Sequence, residues 1–316
     1  MRRWHRRHLL GMVDLSGEEI TQILDVADQF AGVLDRPIRS VPTLRGWTVV
    51  NLFFESSTRT RVSFELAEKR LGADTISFSA SASSVNKGET LRDTARNIEA
   101  MRVDSVVIRH GSVGAPHFLT QHISSAIINA GDGTHEHPTQ ALLDLMTIRR
   151  HFGRIAGLRV SIIGDVLHSR VARSDMWGLK TMGAEVTLCG PATLLPKHTE
   201  SFPARVTTNL DASLDGADVV YALRIQRERQ ELGLFPTIRE YTRLYGITAE
   251  RLDRTAPEAV VMHPGPINRG WELSDDVADG PRSLILEQVT YGVAVRMAAL
   301  YLTAGRDPTS LNLAPR

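Results

Sequence analysis

Cysteine is almost absent: Cys189 is the only one in 316 residues. No internal disulfide can form, and no thiolate-rich zinc site is on offer, so a reducing compartment, the cytoplasm, is expected. Neither sign of charge prevails. The 37 Lys and Arg face 36 Asp and Glu, a formal charge of +1, which supplies no global field for gripping nucleic acid or a membrane. Any anion specificity must therefore be local. Long apolar runs are missing too. The basic start from Arg2 to Arg7 is followed by only Leu9-Leu10 before Gly11 and Asp14, far short of a signal-peptide core, and it reads as a solvated arm. Stretches such as Val49 to Phe54 fall well below the roughly 18 apolar residues of a membrane span. A soluble protein without membrane attachment is expected.

What is present suffices for a core. With 42% hydrophobic and 23% charged residues, the chain is globular, and its length suggests about two domains. Short β-branched or apolar runs at 47–54, 74–78, 104–109, 126–130, 158–163, 184–189, 218–222 and 259–262 alternate with amphipathic stretches, the pattern of parallel sheets covered by helices. Phe64, Ala67 and Leu71 recur at helical spacing over 58–71, just after the first strand. Pro138 opens another helix that carries Leu145, Ile148 and Phe152 on one face and stops at Gly153. The punctuation Gly153 to Gly157 marks a boundary near 140–157 between two similar α/β halves. A last helix, about 284–304, is placed to return to the first half.

Ligands in such sheets bind at the carboxyl ends of strands, so the residues there carry the chemistry. After Phe53-Phe54 comes Glu55-Ser56-Ser57-Thr58-Arg59-Thr60-Arg61, a hydroxyl-rich turn at the mouth of a helix. Free N–H groups, hydroxyls and a guanidinium make it an anion cradle. The plainer alternative, that Ser57 or Thr58 merely caps the helix, is outweighed by the arginine inside the run. Arg109-His110, His137 with Gln140, Arg170, and Arg224 with Gln226 follow other strands. Each alone has a dull explanation, as a surface ion pair or a helix cap. Repeated together at strand ends, they suit a substrate with several anionic groups. The loop holding Ser83 and Lys87 is a weak signal alone, and His263-Pro264-Gly265-Pro266 offers a rigid backbone whose carbonyls can accept from an ammonium group.

Those motifs, in order and over nearly the whole chain, resemble the aspartate/ornithine carbamoyltransferases, on the side of the aspartate-specific catalytic chains. They are Phe54 to Arg61, Ser83 to Glu89, Asp132 to Gln140, Arg224 to Arg229 and His263 to Pro266. The resemblance implies two similar parallel-sheet α/β domains: a carbamoyl-phosphate domain over 1–140, completed by a C-terminal helix at 287–316 packing back on it, and an aspartate domain over 141–286. It implies that Ser57, Thr58, Arg59 and Thr60 hold phosphate, that Arg59, Thr60, Arg109 and His137 surround the reacting group, and that Gln140 contacts the carbamoyl amide. Ser83 and Lys87 would arrive from a neighbouring subunit of a catalytic homotrimer. Arg170, Arg224, Gln226, Lys87 and the backbone at Gly265 and Pro266 would take aspartate. No metal and no cofactor is expected.

The ornithine branch is the nearest rival. It characteristically has a His-Cys-Leu-Pro motif where this chain has His263-Pro264-Gly265-Pro266, and it lacks the loop lysine; Arg224 would also repel a cationic side chain. An NAD-dependent oxidoreductase lacks its glycine fingerprint at Gly164-Asp165. A metal-dependent hydrolase built on His135-x-His137 lacks accompanying carboxylates at ligand spacing. A scaffold subunit without activity is disfavoured because every motif position is filled. The Gly265 variant of the proline–glycine loop resembles the branch whose trimers join dihydroorotase or its inactive counterpart, so such a partner is expected.

Overall fold

The computed structural model describes residues 4–79, 89–225, 237–308 and 311. Ser83, Lys87 and Gln226 lie outside the described residues. The chain divides into two compact units, one of Met1–Met146 with Thr290–Arg316, the other of Thr147–Val289.

In the first unit the strands β1 (Thr48–Phe53), β2 (Asp74–Ser79), β3 (Ser105–His110) and β4 (Ala126–Asp132) form a parallel sheet in the order β2-β1-β3-β4. Helices α1 (Gly17–Leu34), α2 (Thr58–Leu71), α3 (Leu91–Ala100), α4 (Ala115–Thr120) and α5 (Pro138–Phe152) accompany it. Val49 to Phe53 are all buried, which explains why β1 reads as apolar apart from Asn51: a strand covered on both faces has no solvent side. Val50, Leu52, Val106, Ile108 and Ile127 pack with Ala95, Ile98 and Leu119 in one core cluster. At α1, Ser16 and Glu19 form a reciprocal capping box, and the apolar stripe Ile20, Ile23, Leu24, Ala27 and Phe30 is buried.

The second unit holds β5 (Arg159–Ile163), β6 (Glu185–Cys189), β7 (Arg205–Thr207), β8 (Val219–Ala222) and β9 (Val260–Met262), all parallel, in the order β7-β6-β5-β8-β9. Its helices are α6 (Arg170–Thr181), α7 (Leu210–Leu214), α8 (Ile238–Tyr245), α9 (Ala249–Thr255) and α10 (Asp275–Ala278). Ile163, Val220, Ala222, Tyr241 and Val261 lie at the heart of its core. The final helix, α11 (Ile285–Thr303), carries Tyr301, whose ring meets Phe30 of α1 edge to face at 5.7 Å, so it packs back on the first unit as expected, against its first helix. Among the described residues, no helix is long and apolar enough to cross a membrane.

Two expectations are corrected. All eight expected strands form, but a ninth, β7, carries no readable signal, because it is three residues long and only half buried. The N-terminal stretch is not a solvated arm over its described part. Trp4, Leu9 and Met12 are buried, Leu9 bridges to Ile128 at the outer edge of β4, and its N–H donates to the Ile127 carbonyl at 2.9 Å. Among the described residues, the basic run His5 to Arg7 is flanked by apolar Trp4 and Leu9, and Leu9 covers the sheet edge.

Candidate active site

In the first unit, registry sets the carboxyl ends of three strands side by side: Phe53 lies opposite Arg109, and His110 opposite Asp132. From β1 the chain passes through Phe54, whose N–H donates to the Arg109 carbonyl at 2.8 Å, into α2. Ser57 occupies the cap position in extended conformation, yet its side chain does not cap the helix; its hydroxyl donates to Thr60 Oγ1 at 2.9 Å. No acidic residue stands in the first turn of α2. The positive end of this 14-residue helix is therefore not neutralised by its own cap, the arrangement that favours a bound anion. Thr58 and Arg59 are exposed there and Thr60 is buried.

Arg109 is mostly buried. Its Nη1 donates to the Ala130 carbonyl at 3.1 Å, and its Nε lies 3.8 Å from the carboxylate of Glu55. Glu55 thus touches a residue of the cradle, although its place in the sequence run suggested no role. His137 directly precedes α5, is buried, and receives the N–H groups of Gln140 and Ala141 at its carbonyl. Gln140, in the first turn of the helix, is buried and bonded to Asp144. The turn feeding His137 is tightly built. Gly133 adopts φ +49°, and a Cβ there would come within 2.8 Å of Val113, so only glycine fits. Glu136 Oε1 accepts from Met12 N–H at 3.2 Å, which anchors the turn to the N-terminal stretch.

In the second unit the cations again follow strand ends. Ile163 pairs with Ala222, and Tyr221 with Met262, so the segments leaving β5, β8 and β9 emerge together. Ser169 caps α6 through Ala172 N–H, which sets the buried Arg170 at its first position. Arg224 is half-buried just past β8. Its neighbour Ile225 accepts from Asn268 Nδ2 at 3.2 Å, tying that strand end to the proline–glycine loop. The loop is braced from within: Gly265 N–H donates to His263 Nδ1 at 2.9 Å, His263 Nε2 pairs with buried Glu272 at 3.2 Å, and Asn268 N–H reaches the same carboxylate. The Gly265–Pro266 bond is cis and Gly265 has φ +67°.

Each unit therefore gathers its own set of cationic and amide groups at adjacent strand ends: Ser57, Thr58, Arg59, Thr60, Arg109, His137 and Gln140 in one, Arg170, Arg224, Gly265 and Pro266 in the other. Sequence reasoning passed over Asp144, which holds Gln140; its signal is the i,i+4 spacing on a helix opened by Pro138.

Comparison with known proteins follows the same division. Residues 7–150 match the carbamoyl-P binding domain of the aspartate/ornithine carbamoyltransferases, and residues 156–303 match their Asp/Orn binding domain. The aspartate carbamoyltransferase catalytic subunit of Cytophaga hutchinsonii is 60% identical over 95% of this chain and 97% of its own. Among solved structures, the aspartate transcarbamoylase of Trypanosoma cruzi in complex with carbamoyl phosphate and aspartate superposes with a TM-score of 0.82 at 31% identity, covering 93% of this chain and 94% of that one. Ornithine carbamoyltransferase from Pyrococcus furiosus gives 0.85 at 28% identity, covering 96% and 98%. With both halves matched and such identity spanning nearly its full length, the chain belongs to the aspartate/ornithine carbamoyltransferase family.

Proposed function

We propose that this chain transfers the carbamoyl group of carbamoyl phosphate to the amino group of L-aspartate, giving N-carbamoyl-L-aspartate and phosphate, an early step of de novo pyrimidine biosynthesis. The observation that carries this reading is the uncapped, acid-free start of α2, which follows the strand end paired with Arg109. Phosphate suits that helix start, where N–H groups and the hydroxyls of Ser57, Thr58 and Thr60 donate.

The neutral amine of aspartate attacks the carbamoyl carbon, and negative charge grows on the carbonyl oxygen. Donors fixed in advance lower that barrier, and Arg59, Thr60, Arg109 and His137 are cast in this role. The C–O bond to phosphate then breaks, and the leaving phosphate takes the amine proton. Lys87, Arg170, Arg224, Gln226 and the backbone at Gly265 and Pro266 hold the aspartate. In this reading 1–140 with 287–316 is the carbamoyl-phosphate domain and 141–286 the aspartate domain. The enzyme is a cytoplasmic homotrimer whose sites borrow Ser83 and Lys87 from a neighbour, and its trimers associate with dihydroorotase or a dihydroorotase-like chain.

One assay tests the reading: carbamoyl phosphate supplied with aspartate or with ornithine, following phosphate release and identifying the carbamoylated product. Aspartate is the expected acceptor. A preference for ornithine, or no release above the buffer rate with either, overturns it.

A further inference from the structure

The residue that ends β4 has a second set of neighbours, away from the groups assigned to substrate. Asp132 Oδ1 accepts from Asn129 Nδ2 at 2.8 Å and from Glu136 N–H at 3.1 Å. Its other oxygen, Oδ2, accepts from Gly114 N–H at 2.7 Å and lies 3.1 Å from His135 Nδ1. The ring of His135 meets that of His117, on α4, edge to face with centroids 5.8 Å apart. One ligand atom from each of His117, Asp132 and His135 lies within 4.8 Å of the other two. The carboxylate is fully buried and both imidazoles are partly exposed.

We propose that His117, Asp132 and His135 form a binding site for one divalent transition-metal ion, zinc foremost, with water as the fourth ligand. Two imidazoles and a carboxylate are a donor set zinc favours, and hard cations such as magnesium do not. Bonds of about 2.0–2.1 Å in a tetrahedral site put neighbouring ligand atoms about 3.3 Å apart. Asp132 and His135 already stand at that spacing, and rotation of the partly exposed His117 ring closes the third side. The carboxylate is prepared for the ion. Asn129, Gly114 and the Glu136 N–H grip it from behind, the outer-shell support that fixes a metal ligand.

The ion takes the position of the hydrogen between Nδ1 and Oδ2, and the His135 ring keeps its proton on Nε2. The pairing differs from the one the sequence suggests. His135-x-His137 is not the metal pair; the histidine that joins His135 comes from a helix 18 positions earlier, beyond Gly114. None of the three residues is assigned to a substrate, so the site stands whether or not the transfer reaction does. Its consequence is a cross-link between α4 and the turn that carries His137.

The test uses the full-length chain stripped with a chelator. Zinc is titrated calorimetrically, cobalt(II) is titrated by visible absorption, and the thermal midpoint is followed with and without zinc. One ion per chain, the intense visible band of four-coordinate cobalt, and a higher midpoint with zinc are expected. His117→Ala and His135→Asn should each weaken binding at least about tenfold and abolish the cobalt band. His117→Ala changes a partly exposed position on a six-residue helix, so it remains informative if His135→Asn fails to fold. No saturable binding, binding unaffected by His117→Ala, or loss in only one of two folded variants overturns the three-residue site.

Discussion

Gln140 donates its side-chain amide to both carboxylate oxygens of Asp144, each at 3.2 Å, one turn further along α5. An ionised carboxylate only accepts, so it selects the NH2 end of the amide and leaves the carbonyl end for whatever Gln140 faces. A hydrogen bond to a charged group is worth about 1.5–3 kcal/mol. Asp144→Ala should therefore release the amide and raise KM for carbamoyl phosphate about tenfold or more, with a smaller change in kcat. Steady-state kinetics in both substrates check this; an unchanged KM removes Asp144 as a positioning residue.

Arg59 sits exposed in the first turn of α2. If it faces the charge that grows on the carbonyl oxygen, Arg59→Ala should weaken substrate binding modestly and cut turnover by at least about a hundredfold, the loss typical of a missing oxyanion donor. Turnover near that of the unmodified enzyme takes Arg59 out of the mechanism.

Sharing of sites between subunits has its own signature. Lys87→Ala chains and Arg59→Ala chains should each be inactive alone. Mixed and allowed to exchange, they should regain activity, because some sites then draw an intact Arg59 from one chain and an intact Lys87 from another. Exchange proven by mass, with no recovery of activity, rejects shared sites.

Glu68 lies on α2 with its carboxylate fully buried, accepting from Asn51 Nδ2 at 2.9 Å. Burial pushes its pKa up to about 7. Between the ordinary 4.5 and about 7 the folded chain keeps a proton that the unfolded chain has lost. Stability contributed by this group is therefore whole at acid pH and is lost as pH rises through that window, by about 3 kcal/mol at most. Glu68→Gln, which never ionises, should raise the melting temperature above pH 7 and flatten its decline from pH 5 to 8. Identical slopes for the two proteins would show that Glu68 does not titrate there.

The fold was legible where burial is two-sided. Val49 to Phe53 and Val106 to Ile108 read as strands because parallel strands under helices have no solvent face. Helix α5 was legible at both ends, from Pro138 at its start and from Gly153, which adopts φ +70° just after it. Other features depend on partners distant in sequence. Nothing local tells β7 from a loop, and His117 has no reason to be paired with His135 before β4 and α4 are folded together. Arg296 is similar. Its position on α11 is readable, but only the fold shows its guanidinium buried, donating to Ser63 Oγ at 3.0 Å and lying over the Phe64 ring at 5.2 Å, with its pKa drawn down to about 10 by burial.

The stretch before α1 carries a kinetic corollary. His8 receives the N–H of Ile127, and Leu10 receives the amide of Asn129, each across a separation of 119 residues. Such long closures are entropically slow and form late. These residues, made well before their partners, must therefore wait, undocked, until β4 has been made, and only their arrival covers the edge of the sheet and clamps the bend that leads to His137.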